Sequence, residues 1–292
     1  MAVVFRTCKS LSKNAIFTRG ISSSLRLHSQ KPPTPPEPLV NVDVDDKSGV
    51  AVVTLNRPPV NSLNTPLLSE LKNIIKGLED NKSRGMILTS SSETVFSAGL
   101  DLMEMYNAPK DKLSAFWTTL QSTWLALYRS SFPTVAAING HAPAGGCLLS
   151  LSCEYRVMVG PKFSIGLNET QLGIVAPPWF VICMRDVLGH RQTEMALTSG
   201  RMFSAPEALK LGLIDAMVTN KAEAITEAQK FIAQFAKIPP LARKLTKESV
   251  RQEGIKYMED NMIDDLQMFM DLVTQEKIQK GIGLYLASLK KK

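Results

Sequence analysis

Three segments hold residues whose types and spacing could do chemistry together. One is Gly166-Leu167-Asn168-Glu169-Thr170-Gln171-Leu172-Gly173-Ile174. Glu169 is an acid in a mostly apolar stretch, between a predicted strand and a turn. A carboxylate held among apolar groups has a raised pKa, which suits a general base. An isolated loop glutamate is also, ordinarily, a solvated one. A second segment is Ile138-Asn139-Gly140-His141-Ala142-Pro143-Ala144-Gly145-Gly146-Cys147-Leu148. Small residues lead into a predicted helix N-terminus, where free N–H groups and the helix dipole favour a negative oxygen. It lacks the spelling of a P-loop or of a dinucleotide-binding turn. Close helix packing at Gly145 and Gly146 would explain it equally well. The third is Val95-Phe96-Ser97-Ala98-Gly99-Leu100-Asp101-Leu102. Small residues let backbone N–H groups approach a ligand, and Asp101 can cap a short helix. An ordinary strand-to-helix turn would be spelled the same way.

Such segments need elements that end strands and start helices in the right places. Residues 39–45 alternate apolar and acidic side chains, as a half-buried strand does. Residues 50–55 form a second predicted strand after the turn Lys47-Ser48-Gly49, completing a hairpin. After Pro58-Pro59, residues 65–78 place Leu67, Leu68, Leu71, Ile74, Ile75 and Leu78 on one helical face. Thr65 is placed to cap this helix, and Pro66 suits its first turn. A strand over 85–90, a loop over 91–100 and a long helix over 112–130 follow. Then come a strand over 133–139, a helix over 144–152, and strands over 154–159 and 162–165. From Trp179 onward helices dominate, apart from a brief apolar segment at 213–218. Strands alternating with helices predict an α/β class. The helical last third predicts an appendage on that core.

Taken together, the order and spacing of the three segments resemble the crotonase (enoyl-CoA hydratase/isomerase) superfamily. Its pattern is a Phe-x-Ala-Gly-x-Asp loop, then an Asn-Gly-x-Ala-x-Gly-Gly-Gly-Cys-type turn, then a Gly-x-Glu-x-x-x-Gly loop. The resemblance runs from about Leu39 to the C-terminus. It implies a spiral of β-β-α turns, ClpP-like, with C-terminal helices that assemble a homotrimer or a pair of trimers. It also implies an acyl-CoA thioester substrate, whose enolate oxygen is held by two backbone N–H groups, here Ala98 and Gly145. Ser97, Ala98, Gly99, Leu100, Asp101, Ala144 and Asn168 should then line the substrate site. No cofactor is implied, since coenzyme A is part of the substrate.

One departure from the family pattern bears on the reaction. Hydratases of this family hold water between two glutamates. The first belongs immediately after the Cys of the Gly-Gly turn, where this chain has Leu148; the second is matched by Glu169. An apolar Leu cannot activate water, and one carboxylate is enough to move a proton between two carbons. The resemblance thus implies an isomerase of fatty-acid β-oxidation that converts 3-cis- or 3-trans-enoyl-CoA to 2-trans-enoyl-CoA, with Glu169 as the single acid/base. A hydratase or another acyl-CoA enzyme of the family is the alternative, disfavoured by Leu148. A noncatalytic acyl-CoA- or RNA-binding member is more remote. Trp179 and Phe180 are candidate acyl-pocket walls or core residues.

Composition narrows the partners. The chain has 292 residues, 44% hydrophobic and 21% charged, and a net charge of +7. Six of its 34 cations (Arg6, Lys9, Lys13, Arg19, Arg26 and Lys31) lie in residues 1–36, which hold no acid; that leaves 28 cations against 27 acids elsewhere. The nearly neutral body predicts no attraction to nucleic acid. The Arg- and Ser-rich, acid-free segment 1–30 reads as a mitochondrial transit peptide, which implies the matrix. Residues 31–38 read as a Pro-rich linker, 39–235 as the core and 236–292 as the helical oligomerisation region. Cys147, Cys153 and Cys183 lack paired spacing and are expected as reduced thiols. The scattered His28, His141 and His190 predict no metal site. No apolar run is long enough to insert in a membrane.

Overall fold

The computed structural model describes residues 37–289. The transit-peptide reading and most of the Pro-rich linker fall outside those residues. The chain from Pro38 onward repeats one unit, in which a strand joins a large sheet, a second strand or bridge turns aside, and a helix returns. The hairpin β1 (Val40–Asp45) and β2 (Val50–Leu55) opens the large sheet, with Asp45 opposite Val50. Helix α1 (Thr65–Asp80) leads to β3 (Gly85–Ser90), and α2 (Lys110–Tyr128) leads to β4 (Thr134–Ile138). Next come β5 (Ala142–Pro143), α3 (Gly145–Ser152), β6 (Tyr155–Val159) and β7 (Ser164–Gly166). Helices α4 (Pro178–Leu188) and α5 (His190–Ser199) precede β8 (Phe203–Ser204), α6 (Ala205–Leu211) and β9 (Ala216–Val218). The rest is helical: α7 (Lys221–Ala233), α8 (Pro240–Val250), α9 (Gln252–Val273) and α10 (Glu276–Leu289).

The large sheet runs β1-β2-β3-β4-β6-β9, parallel apart from β1. Both of its faces are covered around β3 and β4, whose side chains are all buried, as a parallel sheet demands. The second strands of successive turns stack on one another. Leu63 bridges Leu100, Val95 bridges His141, and β5 pairs with β7, each in parallel. This stack of short pairings is the spiral, and all three chemical segments lie on it.

Two details differ from the sequence reading. Thr65 does not cap α1. Asn64 does, accepting from the Leu67 N–H at 3.1 Å, while the Thr65 N–H and hydroxyl both donate to Glu104. In β1 only Val40 is buried; Val42 and Val44 are exposed. β1 is an edge strand, and α1 reaches only its start, where Glu70 accepts the Leu39 and Val40 N–H groups. The two-residue strands β5 and β8 are too short to show a period.

A buried charge cluster pins the C-terminal helices to the core. Lys247 of α8 donates to the Ser130 carbonyl at 2.8 Å and to Glu154 at 3.0 Å, and Arg243 pairs with the same carboxylate. Arg251 donates to the carbonyls of Tyr128 and Ser152. Burial pulls the Lys247 pKa down to about 8, and Glu154 partly opposes that pull. Removing one member of such a pair strands the other charge, at a cost of roughly 3 kcal/mol or more. Glu154→Gln is therefore expected to lower unfolding free energy by about 3 kcal/mol, read from the urea midpoint. An unchanged midpoint would mean that the cluster does not anchor the helices.

Candidate active site

The β5–β7 pairing brings two of the three segments together. Ala142 lies opposite Ile165 and Pro143 opposite Gly166, and the Ala144 N–H donates to the Gly166 carbonyl at 2.8 Å. One strand leads into α3 and the other into Glu169. The third segment is tied to the same place, since the Phe96 N–H donates to the His141 carbonyl at 2.9 Å. Gly146 permits this approach, because a Cβ there would come within 2.5 Å of the Ser97 carbonyl oxygen.

Glu169 begins a single 3-10 turn, Glu169–Leu172, ended by Gly173 in the left-handed region. The turn is anchored outward, with the Thr170 hydroxyl on the Leu197 carbonyl and the Gln171 amide on that of Gly200. The Glu169 side chain points the other way, into a cavity of about 330 Å³. It is 7% exposed, and neither carboxylate oxygen has a hydrogen-bond partner among the described residues. Burial pushes its pKa from 4.5 to about 7. The buried Asn168 Oδ1 beside it is also unpartnered there. A second acid in the wall, Asp101, is engaged. It pairs with Arg57 at 2.8 Å and caps the turn Leu102–Glu104 through the Met103 N–H. Glu169 is thus the wall carboxylate with a free hand.

The donors are arranged differently from the sequence reading. The Ala98 N–H is already given to the Val60 carbonyl at 2.9 Å, so it cannot serve an oxyanion. The physical reason is local pairing. Leu63 donates to Gly99 O and accepts from Asp101 N–H, and in such a parallel bridge the intervening Leu100 N–H faces away from Leu63. The N–H groups of Leu100 and Gly145 have no acceptor among the described residues. Gly99, at φ +89°, packs its backbone beside Gly145; a Cβ on it would lie 3.1 Å from Gly145 N and 2.9 Å from Ala144 Cβ. Ala144 itself sits at φ 48°, ψ −120°, a strained conformation for a residue with a Cβ. That strain turns the chain sharply enough to make Gly145 the first residue of α3.

Of the expected site residues, Ala98, Leu100, Asp101, Ala144, Asn168 and Glu169 line the cavity. Ser97, Gly99 and Gly145 adjoin those residues in the chain without being part of the lining. The Ser97 hydroxyl bonds the Asn61 carbonyl and accepts from Gly99 N–H, so its role is to hold the loop. Leu148 is fully buried and outside the lining. Phe180 lines the cavity, whereas Trp179 is core. Sequence reasoning missed Trp117, Phe269 and the α10 residues Tyr285, Leu286 and Leu289, all of which line it. Trp117 and Phe269 carry the spacing of ordinary core residues, so nothing local marked them. Among the described residues there is no His/Cys/Asp/Glu group able to hold a metal and no helix long and apolar enough to cross a membrane. Cys147, Cys153 and Cys183 are buried free thiols.

This geometry agrees with the comparisons to known proteins. Residues 45–292 match the model of the enoyl-CoA hydratase/isomerase family. The mitochondrial enoyl-CoA delta isomerase 1 of Mus musculus is 44% identical over 259 residues, 87% of this chain and 88% of that protein. The enzyme of the same name from Homo sapiens is 43% identical over 253 residues, 86% of this chain and 83% of that protein. The crystal structure of human mitochondrial delta3-delta2-enoyl-CoA isomerase superposes with a TM-score of 0.84 at 42% identity, covering 87% of this chain and 98% of that one. With its spiral of β-β-α turns, its helical C-terminal region and, among the described residues lining the cavity, one unpartnered carboxylate, the chain belongs to the enoyl-CoA hydratase/isomerase family.

Proposed function

We propose that the protein is a delta3-delta2-enoyl-CoA isomerase, which moves the double bond of a 3-enoyl-CoA to the 2-trans position in fatty-acid β-oxidation. The observation that carries this reading is Glu169: a buried, unpartnered carboxylate with a pKa of about 7, facing an apolar cavity that offers no second free acid among the described residues. Glu169 takes a proton from C2 of the thioester. The electrons of that bond delocalise into a dienolate, whose oxygen is met by the N–H groups of Leu100 and Gly145. The α3 dipole adds to the Gly145 donor. The carboxylic acid then returns the proton to C4, leaving the double bond between C2 and C3. No proton or electron is gained or lost overall, and the reaction needs no cofactor. Hydration would also require an acid or base to handle water, and Leu148 supplies neither.

Relatives named as mitochondrial support a mitochondrial location, and the acid-free leader supports import to the matrix. The homotrimer reading is supported by apolar side chains that α8 and α9 leave exposed, Leu241, Leu245, Val250 and Ile263.

Incubation with 3-enoyl-CoA and, separately, with 2-enoyl-CoA tests the assignment. Rapid conjugation of the first with little hydration of the second is expected; fast hydration without isomerisation would overturn it. Glu169→Gln is expected to abolish isomerisation while retaining thioester binding. The same substitution has a stability consequence. The folded carboxyl titrates near 7 and the unfolded one near 4.5, so the native state holds the extra proton between those values. Wild-type stability therefore falls as pH rises from about 4.5 to 7. Above that window Glu169→Gln should be more stable than wild type by about 3 kcal/mol, checked by thermal melts at pH 5 and pH 8. The wild-type kcat/KM should rise with pH, half-maximal near 7, because the base must be ionised. Gly99→Ala places a Cβ against Ala144 at positive φ and displaces the adjoining Leu100 N–H. It is expected to lower kcat by roughly a hundredfold or more, the usual cost of an oxyanion donor.

A further inference from the structure

We propose that Trp117, held in place by the buried carboxylate of Asp265, is the specificity-determining wall that limits the length of the acyl chain. This rests on the acyl-CoA reading of the cavity and names which thioesters it accepts. The lining residues sort by exposure into a mouth and a blind end. Val175 is 61% exposed and Leu289 51%, whereas Trp117 is 4% and Phe269 5%. The Trp117 ring lies face to face with Phe269, centroids 3.8 Å apart and 6° from parallel. Behind it, Trp179 meets its edge at 6.0 Å and is fully buried. An acyl tail entering past Glu169 therefore stops at Trp117, because beyond Trp117 lies the core.

The wall is fixed as well as bulky. Asp265, on α9, is 1% exposed. Its Oδ2 accepts from Trp117 Nε1 at 2.7 Å and from Gln121 Nε2 at 2.7 Å. Trp179 Nε1 donates to Oδ1 at 3.1 Å and to Oδ2 at 3.2 Å. Stacking fixes the plane of the Trp117 ring, and the hydrogen bond fixes its rotation within that plane. A cavity of about 330 Å³ is at the small end for ligand sites, so an immobile wall there decides how much chain fits. Asp265 does not line the cavity and acts only through the indole, as a positioning residue.

Affinity for saturated acyl-CoA thioesters of graded length tests the proposal without requiring turnover. Trp117→Leu is expected to raise the long-to-short affinity ratio by roughly tenfold or more, the worth of a methylene or so of added apolar room. Should Trp117→Leu fail to fold, Trp117→Phe keeps the stack on Phe269 while losing bulk and the N–H, and carries the same comparison. Asp265→Leu removes the pin and should shift the ratio in the same direction by less. Asp265→Asn can keep its one oxygen on Trp117 and Gln121, turning its amide toward Trp179 alone, and should restore a near wild-type profile. A Trp117 variant with an unchanged length profile would overturn the wall while leaving the isomerase reading intact. A wild-type protein that binds none of the thioesters would overturn both.

Discussion

The parallel pairing of β5 on β7, extended by the bond from the Ala144 N–H to the Gly166 carbonyl at 2.8 Å, joins the segment that carries Gly145 to the one that carries Glu169. On one side the chain turns into α3 and presents Gly145 as its first residue. On the other it runs through Leu167 and Asn168 to Glu169. Gly145 and Glu169 are thus placed by one register, that of β5 on β7. A slip of one residue would turn alternate groups to the opposite face and separate them. The strained backbone of Ala144 is tolerated because bonds on either side over-determine it: its N–H is held by Gly166, and its carbonyl accepts from Leu148 N–H.

The same enclosure that positions Glu169 costs stability. No other residue of the described protein hydrogen-bonds the carboxylate, and desolvation raises its pKa to about 7 against a smaller opposing pull from its own backbone N–H. A donor placed beside it would recover much of that cost and would also lower the pKa, making a weaker base. The fold meets the expense elsewhere, in the parallel sheet with β3 and β4 entirely buried and in the charge cluster that clamps α8 to Ser130 and Glu154. The electrostatic terms at the two places have opposite purposes. Glu154 is surrounded by partners and holds helices; Glu169 is left without a side-chain partner among the described residues and keeps a raised pKa.

How much of this the sequence discloses depends on how local the signal is. The long helices follow from patterns within one segment, the α/β class from the alternation of such segments, and the choice of Glu169 only from the three chemical segments taken together. The wall made by Trp117 and Phe269 does not, because a core residue and a pocket residue have the same helical spacing, and only tertiary packing decides which face meets empty space. Asp265 did carry a signal. In α9 the apolar face runs Met258, Met262, Leu266, Phe269 and Val273, and Asp265 falls within that stripe while Asp264 falls outside it. An acid on an apolar face must find donors, and two indoles and an amide supply them.

The loop around Gly99 shows a subtler limit. A motif fixes which residues are present, whereas the direction of an N–H is fixed by pairing. Along an extended segment successive N–H groups point to opposite sides, so a bridge at Leu63 that uses Gly99 O and Asp101 N leaves the Leu100 N–H on the far side. Gly99, at φ +89°, breaks the alternation just before it, and Ala98 is left facing Val60. The error in choosing Ala98 is one of orientation within a correctly located loop. It could not be corrected without the partner strand, because the partner is thirty-seven residues away, at Leu63. What the Phe-x-Ala-Gly-x-Asp spelling encodes is therefore the turn at Gly99 and the cap at Asp101, which together present the backbone of the residue between them.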